Sequence, residues 1–360
     1  MPMPFSKKKF ASSCNAEKIE IGKTCTVTVL GAAKKFEVPR GDLLLMAALE
    51  QGINYPHTCR VGTCGRCRTK LVSGRISPQI DFALSPLSND ELEQGVILAC
   101  QAKVRSDLEI DVALIDQKVI KPKMIAGTIT HWQRLPGEVI DLRVGLEKPL
   151  HFQAGQYASI ATSGSFTRRM FSFYDAPKPN GNYDVGFLIK KLPGGKFSEW
   201  LYNDDRRDVR VWIEAPFGQM GLDDEPRDAL GVAGGTGIAP ILSIARDRLR
   251  RFPKNRFTIV FGVRREYELF ALDKLAEIAD ESAGRLTVIP ILSDEPTGRD
   301  WTGATGLVTD AINSDLNLDF GGLSAFVCGS VPMVNAVEAH LLKMKVDPKR
   351  IHADKFEAAA

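Results

Sequence analysis

Three stretches of the chain differ in how apolar and polar residues follow one another. In the first, about Thr24–Ala113, alternating apolar positions predict short strands at Thr26–Leu30 and Phe36–Val38, because strand side chains point alternately to two faces. A helical run, Leu43–Glu50, follows and stops at Gly52. Further strand-like segments that complete a small mixed sheet are Leu71–Val72, Val96–Ala99 and Leu108–Val112.

The second stretch, about Met124–Leu222, contains many short alternating segments and one short helix, Phe197–Tyr202. The predicted strands are Gly127–Thr130, Val139–Val144, Tyr157–Ile160, Met170–Phe173, Asp184–Lys190 and Val209–Ile213. Many short strands at regular spacing are typical of an antiparallel barrel. Before this stretch, Asp116–Lys123 is charged, contains proline and lacks periodicity, which predicts a linker.

In the third stretch, from Asp223 to the end, strands alternate with helices. The predicted elements are a strand Ala229–Ala233 with a helix from Ile241, a strand Phe257–Gly262 with a helix from Leu269, Leu286–Leu292 before Val308–Ile312, and Ala325–Cys328 before Met333–Met344. This βαβ rhythm is typical of a doubly wound parallel sheet that binds a nucleotide. The predicted organisation is therefore a leader (1–23), a first domain (24–115), a linker (116–123) and two further domains (124–222 and 223–360).

The composition narrows the classes of function. Of the 360 residues, 25% are charged and 44% are hydrophobic, and the formal net charge of +3 is too small to argue for nucleic acid or an anionic membrane. No apolar run approaches the about 20 residues that span a bilayer. The lysine cluster Lys7–Lys9 is not followed by the apolar core of a secretory signal. We therefore expect a cytoplasmic protein, and a monomer.

The seven cysteines are unevenly spaced, and four of them give the strongest chemical signal. Cys59, Cys64 and Cys67 form a C-x4-C-x2-C run, and Cys100 follows at a distance. This is the plant-type ligand pattern of a [2Fe–2S] cluster. Three thiolates on one tight loop would enclose one side of the cluster, and the fourth, from a separate strand end, would close it.

The residues around the cysteine run fit the same interpretation. Gly62 and Gly65 carry no side chain, so backbone N–H groups can approach the sulfides. The alternatives are a zinc site, which usually has two C-x2-C pairs where this chain has one, and unrelated buried cysteines. We expect Cys14 and Cys25 to be free or buried thiols, and we expect a structural role for His57.

The second signal is a set of three ordered motifs in the barrel-like stretch. Arg169-Met170-Phe171-Ser172 resembles the R-x-[YF]-[ST] motif of the ferredoxin–NADP reductase superfamily. Gly155-Gln156-Tyr157 upstream and Gly195-Lys196-Phe197-Ser198 downstream resemble two further motifs of that superfamily, in the expected order. The first motif alone would fit an ordinary strand, but the three together favour a flavin site that includes Tyr157.

The resemblance implies a role for each motif residue. Arg169 would pair with the flavin pyrophosphate, Phe171 would pack on the isoalloxazine ring, and Ser172 would hydrogen-bond flavin N5. Gly195 and Ser198 would open a helix whose backbone N–H groups face the same pyrophosphate. Many relatives have tyrosine at the position of Phe171, so a hydroxyl contact to the cofactor is lost here.

A glycine-rich segment in the third stretch follows an apolar strand and opens a helix, as expected where a backbone approaches a pyrophosphate. Gly234–Pro240 resembles the superfamily's G-G-T-G-x-[TA]-P, and Cys328–Met333 resembles its C-G-x-x-x-M. The resemblance places Cys328 near nicotinamide C4 and Phe356 over the flavin until nicotinamide displaces it, although a terminal aromatic residue is often only a packing residue. The residues implied in nucleotide binding are Gly234, Gly235, Thr236, Gly237, Arg264, Cys328, Gly329, Met333 and Phe356, and those expected at the reacting atoms are Ser172, Cys328 and Phe356.

The order of the three domains resembles the reductase components of bacterial multicomponent oxygenases, such as those of benzoate and naphthalene dioxygenases and of phenol, toluene and methane monooxygenases. The resemblance covers residues 24–360 and implies a β-grasp ferredoxin domain, an antiparallel FAD-binding β-barrel and a doubly wound NAD-binding domain. Residues of both charges, Arg264, Arg265 and Glu266, follow the second strand of the third stretch. The domain order favours NADH over NADPH, and FAD over FMN.

The implied activity is that of an NADH-dependent oxidoreductase, in which flavin accepts hydride and passes electrons singly to the cluster. The implied partner is a terminal oxygenase. Basic residues beside the predicted ligands, either a solvated rim or a docking face for an acidic patch, are Arg60, Arg66, Arg68 and Lys70. The alternatives are the same cofactors serving a deoxysugar dehydratase, as in CDP-6-deoxy-glucoseen reductases, and a regulatory protein with degenerate sites, against which the complete cysteine set argues.

Overall fold

The computed structural model describes residues 23–57, 62, 65–77, 86–114, 120–162, 169–294 and 301–356. The chain separates into two compact units, one formed by Met1–Ile53 with Arg68–Ala113 and the other by Asn54–Cys67 with Leu114–Ala360. The two stretches that the sequence predicts to bind flavin and nucleotide therefore both belong to the second unit. None of the described helices is long and apolar enough to cross a membrane.

The first unit contains a five-stranded sheet in which β1 and β5 are parallel and the other neighbours are antiparallel. Its elements are β1 (Thr24–Leu30), β2 (Lys34–Pro39), α1 (Leu44–Glu50), β3 (Arg68–Ser73), α2 (Asn89–Glu93), β4 (Val96–Leu98) and β5 (Leu108–Asp111), with the strand order β2-β1-β5-β3-β4. Val27 and Val29 of β1 are buried with Val38 of β2, as the alternation predicts. α1 adds the buried Leu44 and Leu45 to the interior of this unit.

The sequence pattern did not predict α2, because this short helix buries none of its residues. A capping box starts it. The Glu91 backbone N–H donates to Ser88 Oγ at 3.2 Å, and the Ser88 N–H donates to the Glu91 carboxylate at 2.8 Å. The S-x-x-E signature of such a box is visible in the sequence.

The second unit begins with a six-stranded antiparallel sheet. Its elements are β6 (Lys123–Leu135), β7 (Val139–Leu150), β8 (Tyr157–Thr162), β9 (Arg169–Ser172), β10 (Asn182–Lys190), α3 (Lys196–Asn203) and β11 (Arg210–Phe217), with the strand order β10-β7-β6-β11-β8-β9. A bridge between Phe173 and Phe187 brings the end of β9 to β10, the opposite edge of the sheet. β6 starts at Lys123, the last residue of the predicted linker, and β6 and β7 extend beyond the predicted strands because they form one long hairpin, with Leu135 paired to Val139.

The remainder of the second unit is a six-stranded parallel sheet with helices on both faces. Its elements are β12 (Ala229–Gly234), α4 (Ile238–Arg251), β13 (Phe257–Val263), α5 (Leu272–Glu281), β14 (Leu286–Leu292), β15 (Ala304–Thr305), β16 (Ser324–Ser330), α6 (Val331–Lys343) and β17 (Ile351–Phe356), with the strand order β15-β14-β13-β12-β16-β17. Ala229 and Ala233 of β12 belong to the core that contains α4 and α5, whereas Leu230 and Val232 belong to the core that contains α6. This doubly wound arrangement is the one that the βαβ rhythm predicts.

Several bounds in this sheet differ from the sequence predictions. α4 starts at Ile238 rather than Ile241, because Pro240 is tolerated in the first turn of a helix. α5 starts at Leu272 rather than Leu269, since a separate 3-10 turn occupies Glu266–Glu268. Val308–Ile312 forms turns. β17 was not predicted, because only two of its six residues are buried.

Candidate functional site

The two glycine-containing motifs of the parallel sheet meet where the strand order reverses. From β12 the chain continues to β13 on one side, and from β16 it continues to β17 on the other. Ala233 pairs with Cys328 at the carboxyl ends of β12 and β16. In open parallel sheets, the crevice outside these carboxyl ends is the usual place for a ligand.

Glycine is required at three positions of this crevice because other groups approach the backbone closely. A Cβ on Gly237 would collide with the carbonyl oxygen of Cys328. A Cβ on Gly234 would lie 2.5 Å from the Met333 sulfur, and one on Gly329 would lie 2.9 Å from the Met333 methyl carbon. The two motifs are therefore packed against each other with no room for side chains between them.

The turn between β12 and α4 is shaped to leave its backbone open. Gly235–Gly237, with Thr236 at the centre, form one 3-10 turn that leads directly into α4. Gly235 has a φ of +54°, and a Cβ there would meet nothing within 4 Å. A helix N-terminus that follows such a turn favours an anion, because its N–H groups and dipole point towards it.

A cavity of about 440 Å³ lies at these carboxyl ends. Of the predicted nucleotide-binding residues, those that line it are Gly234, Gly235, Arg264 and Met333. Thr236, Gly237, Cys328, Gly329 and Phe356 are not among its lining residues. Lining residues that the sequence analysis did not identify include Lys190, Glu268, Phe270, Thr309 and Pro332.

Cys328 is completely buried within β16. Burial raises the pKa of the Cys328 thiol well above its ordinary value, and the charge of Asp354, its register partner on β17, raises it further. The thiol is therefore protonated at neutral pH and is not a nucleophile. Phe356, at the end of β17, is half-buried and packs against the core cluster that contains Cys328.

An ion-pair cluster forms one wall of the cavity. The Glu268 carboxylate accepts hydrogen bonds from the Arg264 guanidinium at 3.1 Å and from Lys190 Nζ at 3.2 Å. Burial raises the pKa of Glu268, but hydrogen bonds from Arg264 and Lys190 outweigh it and hold the pKa below its ordinary value. The Glu268 hydrogen bond also raises the pKa of Arg264. These three charges were not recognised from the sequence as a group, because Lys190 lies 78 positions from Glu268.

The three motifs of the predicted flavin site also meet in the structure. Arg169 is the first residue of β9, and Ser172, the last, is buried and pairs with Tyr157 on β8. The Phe171 ring lies 5.4 Å from the ring of Phe197, which belongs to the third motif. The structure therefore brings together strand ends and a helix start that are separate in the sequence.

The start of α3 is organised by its own side chains. Gly195 is the N-cap residue, and the Ser198 hydroxyl donates to the Gly195 carbonyl oxygen at 3.1 Å and accepts from the Leu192 N–H at 3.0 Å. The Gly194 N–H donates to the Glu199 carboxylate at 2.8 Å. Ser198 thus holds the turn before the helix in shape, and a Cβ on Gly195 would lie 2.6 Å from its oxygen.

A buried polar network follows directly on the β9 strand, and no sequence motif predicts it. The Tyr174 hydroxyl donates to Asp141 Oδ1 at 2.9 Å and accepts from Arg143 at 2.8 Å. Lys274 of α5 donates to Asp141 Oδ2 at 2.7 Å, and its Nζ lies 4.5 Å from the centre of the Tyr174 ring. Burial and the charge of Asp141 raise the pKa of Tyr174, so the hydroxyl stays protonated. The network ties the antiparallel sheet to a helix of the parallel sheet.

The predicted cluster ligands are only partly within the described residues. Cys59 and Cys64 lie outside them, and Cys67 and Cys100 are both buried. Arg68 of β3 pairs with Leu98 of β4. Cys67 directly precedes Arg68 in the chain, and Cys100 follows Leu98 by two residues. Gly62 and Gly65, the glycines of the predicted loop, have φ values of +96° and +68°.

The residues before the cysteine run are held by a glutamine that the sequence analysis did not identify. Within the second unit, Gln219 donates to the Tyr55 carbonyl oxygen at 3.2 Å and accepts from the His57 backbone N–H at 3.3 Å. His57 is buried, and its Nδ1 lies 2.8 Å from the Tyr55 carbonyl oxygen. This is the structural role expected for His57. Cys25 is a free, buried thiol, as expected, and Cys14 lies outside the described residues.

The four basic residues beside the predicted ligands differ in how they are held. The Arg68 guanidinium donates to the Glu91 carboxylate and to the Pro86 carbonyl oxygen, at 2.8 and 2.7 Å. Arg66, Arg68 and Lys70 are all exposed, and Arg60 lies outside the described residues. Arg68 therefore has a structural task within the first unit.

Two family models match the chain. A 2Fe-2S iron-sulfur cluster binding domain matches residues 23–105, and an oxidoreductase NAD-binding domain matches residues 232–339. The first match contains all four predicted ligands. The second contains both glycine-containing motifs of the crevice.

Proteins similar to this chain are known over nearly its full length. The xylene/toluene monooxygenase electron transfer component XylA of Pseudomonas putida is 34% identical over 92% of this chain and 93% of its own. The naphthalene 1,2-dioxygenase system ferredoxin–NAD(P)+ reductase component of Pseudomonas putida is 30% identical over 88% of this chain and 94% of its own. Among solved structures, the Amycolatopsis cytochrome P450 reductase GcoB is 30% identical and superposes with a TM-score of 0.76 over 94% of this chain and 100% of its own.

Proposed function

The chain belongs to the family of reductase components that supply electrons to oxygenases, and we propose that it carries electrons from NADH through FAD and a [2Fe–2S] cluster to a terminal oxygenase. It is an oxidoreductase with an iron–sulfur domain and an NAD-binding domain. The observation that carries the proposal is that the three flavin motifs meet in the same unit as the glycine crevice. When bound, FAD supplies the step between a two-electron hydride donor and one-electron acceptors.

The residues present fit the nucleotide and the flavin. Gly235 leaves the turn before α4 open, as a pyrophosphate at a helix N-terminus requires. We assign Arg169 to the FAD pyrophosphate, Phe171 to the isoalloxazine face and Ser172 to flavin N5. Gly195 keeps the start of α3 free of a side chain, which supports contact between its backbone and the same pyrophosphate.

The fit extends to the nicotinamide end of the site. We assign Cys328 to the neighbourhood of nicotinamide C4, where its protonated thiol packs without competing as a nucleophile. We assign Phe356 to the flavin face, which its half-buried position at the end of β17 supports. The protein's part in hydride transfer is thus to align two rings and exclude water, with no acid–base residue needed.

For the cluster, we assign Cys59, Cys64, Cys67 and Cys100 as the four ligands. The positive φ values of Gly62 and Gly65 support a tight loop whose amides turn towards the sulfides. The free, buried thiols of Cys25 and Cys328 support a reducing compartment, and we propose the cytoplasm. The bridge between Phe173 and Phe187 supports closure of the antiparallel sheet as a barrel, and α1 beside the five-stranded sheet supports a β-grasp domain.

Cofactor analysis of the purified protein tests the proposal. We expect one FAD per chain, with iron and inorganic sulfide in equal amounts, and NADH-dependent reduction of both ferricyanide and cytochrome c. Cys67→Ser should remove the iron and the cytochrome c activity while flavin-dependent ferricyanide reduction remains. A protein that binds FMN instead, or that keeps its iron after this substitution, would contradict the assignment.

For the oxygenase partner, we propose a docking face that includes Arg66 and Lys70, whose side chains are exposed. Charge reversal of both, Arg66→Glu with Lys70→Glu, should slow electron delivery to an acidic acceptor and weaken its dependence on salt. Reduction of the flavin by NADH should not change. An unaltered salt dependence would exclude this face.

A further inference from the structure

We infer that Glu268 makes the nucleotide cavity selective for NADH over NADPH, because it forms ion pairs with Arg264 and Lys190, the two cations that a 2′-phosphate would need. The inference rests on the proposed nucleotide site and concerns only which of the two nucleotides that site accepts. NADPH differs from NADH by a phosphate on the adenosine ribose. The question is therefore whether this cavity can offer positive charge to that phosphate.

The charged groups of the cavity are few. Among the described residues that line it, those with a formal charge are Lys190, Arg264 and Glu268. Arg264 and Glu268 follow β13, the second strand of the sheet. In nucleotide-binding sheets of this kind, an acidic residue beyond the second strand suits a free ribose hydroxyl, and an arginine suits a 2′-phosphate.

Glu268 is fixed in place by four donors. Its carboxylate accepts from the backbone N–H groups of Arg264 and Arg265, at 3.1 and 3.3 Å. It also accepts from the side chains of Arg264, at 3.1 Å, and Lys190, at 3.2 Å. Glu268 is only 6% exposed, whereas the Arg264 side chain is 67% exposed. The buried anion thus holds two cations, one of which is otherwise accessible from solvent.

The neighbouring arginine is engaged as well. Arg265 Nε donates to the Asp294 carboxylate at 3.3 Å. Both arginines that follow β13 therefore face a carboxylate of this chain. The sequence shows residues of both charges after β13, and the structure shows that both arginines are paired with carboxylates.

The consequences for the two nucleotides differ. A 2′-phosphate carries a charge of about −1.5 to −2 at neutral pH. To bind it, Arg264 or Lys190 would have to give up its bond to Glu268, and the phosphate would then lie near a buried carboxylate that stays ionised because its pKa is lowered. A neutral 2′-hydroxyl neither requires a cation to leave Glu268 nor brings a second negative charge near its carboxylate. Discrimination thus comes from a repulsive group as well as from the absence of free cations.

The test uses the intact holoprotein and two probes that differ only in the 2′-phosphate, 5′-ADP and 2′,5′-ADP, whose dissociation constants are measured by calorimetry. Glu268→Gln removes the charge but keeps the size and the acceptor oxygen. We expect the ratio of the 2′,5′-ADP dissociation constant to the 5′-ADP constant to fall by about tenfold, the worth of one hydrogen bond to a charged group. Glu281→Gln, the same change at an exposed position at the end of α5, is the matched control and should leave the ratio unchanged.

Two further variants separate charge from structure. Glu268→Asp keeps the charge and should keep the wild-type ratio, even if it lowers the melting temperature. Arg264→Gln added to Glu268→Gln should reverse the gain, because the freed cation is removed. An unchanged ratio in folded Glu268→Gln, or an equal gain in Glu268→Asp, would overturn the inference. Failure of the wild-type protein to bind 5′-ADP at all would instead contradict the proposed nucleotide site, and the inference would fall with it.

Discussion

The two sheets of the second unit contribute to the proposed site in opposite ways. In the parallel sheet, the positions that matter are ones without a side chain: Gly237 lets the start of α4 approach β16, and Gly234 and Gly329 leave room for Met333 of α6. In the antiparallel sheet, the positions that we assign to the flavin carry large or polar side chains, the half-buried Arg169 and Phe171 of β9, and a buried network follows this strand. The glycine contacts of the parallel sheet tolerate almost no added atom. The antiparallel sheet depends on pairs of side chains, so we expect single substitutions there to cause smaller losses of stability or affinity.

The largest effect is expected from filling the glycine contact in the parallel sheet. In Gly237→Val, the new side chain collides with the Cys328 carbonyl group, so that α4 and β16 must separate. Overpacking of this kind costs up to ~3 kcal/mol, which corresponds to roughly a hundredfold loss in nucleotide affinity if the separation is borne by the crevice. Calorimetric binding of 5′-ADP and the melting temperature would measure it.

The matched control is Gly321→Ala. There an added Cβ meets only a carboxylate oxygen of Asp319, at 3.5 Å. Its affinity and melting temperature should equal those of the wild type. If Gly237→Val also binds normally, the close approach of the two motifs does not shape the crevice.

A smaller loss is expected from breaking the network of the antiparallel sheet. Asp141→Asn removes the charge opposite Lys274, whose side chain is 19% exposed, and leaves the ammonium group without its partner. We expect the free energy of unfolding to fall by ~2 kcal/mol, less than for a fully buried pair because solvent reaches the lysine. Urea unfolding measures the change, and Asp280→Asn, at an exposed position of α5, is the control. A loss of nucleotide affinity with normal stability would contradict our interpretation that this network stabilises the fold and does not form part of the nucleotide crevice.

Next in size is the effect of changing the shape but not the charge at the start of β9. Arg169→Lys keeps a cation but loses the planar pair of donors that suits a pyrophosphate. We expect the dissociation constant for FAD to rise by about tenfold, as measured by fluorescence titration of the flavin-free protein. Arg210→Lys on β11, where the arginine is paired with Glu147 at the surface, should change nothing. Equal FAD affinity in Arg169→Lys would remove this residue from the flavin site.

The smallest effect is expected for a glycine of the antiparallel sheet. In Gly195→Ala, the new methyl group meets the Ser198 hydroxyl at 2.6 Å and the Leu192 carbonyl oxygen at 3.0 Å. The hydroxyl can rotate away, and the carbonyl contact is longer than the one that a side chain on Gly237 would make with Cys328. We expect a loss of stability below ~1 kcal/mol, detectable as a small drop in melting temperature. A loss as large as that of Gly237→Val would show that the two sheets do not differ in their tolerance.

The same contrast explains what the sequence could and could not predict. Gly234–Gly237 and Cys59–Cys67 are local patterns whose spacing reflects the chemistry directly, so they can be identified without a structure. Strands with strong alternation, such as β1, and strands with a continuous apolar run, such as β13, were also predictable. α2 and β17 were missed because they bury few residues. The Tyr174 network and the Glu268 cluster were missed because their members lie far apart in the chain, and no local pattern links Lys274 to Asp141 or Lys190 to Glu268.

The central claim is that electrons pass from NADH to a flavin and then to a [2Fe–2S] cluster within this one chain. An anaerobic titration with NADH, followed by visible absorbance and low-temperature EPR, tests it most directly. We predict that the flavin absorbance bleaches and that the rhombic EPR signal of a reduced [2Fe–2S] cluster then appears. Bleaching of the flavin without that signal, in protein whose iron content is complete, would contradict the claim.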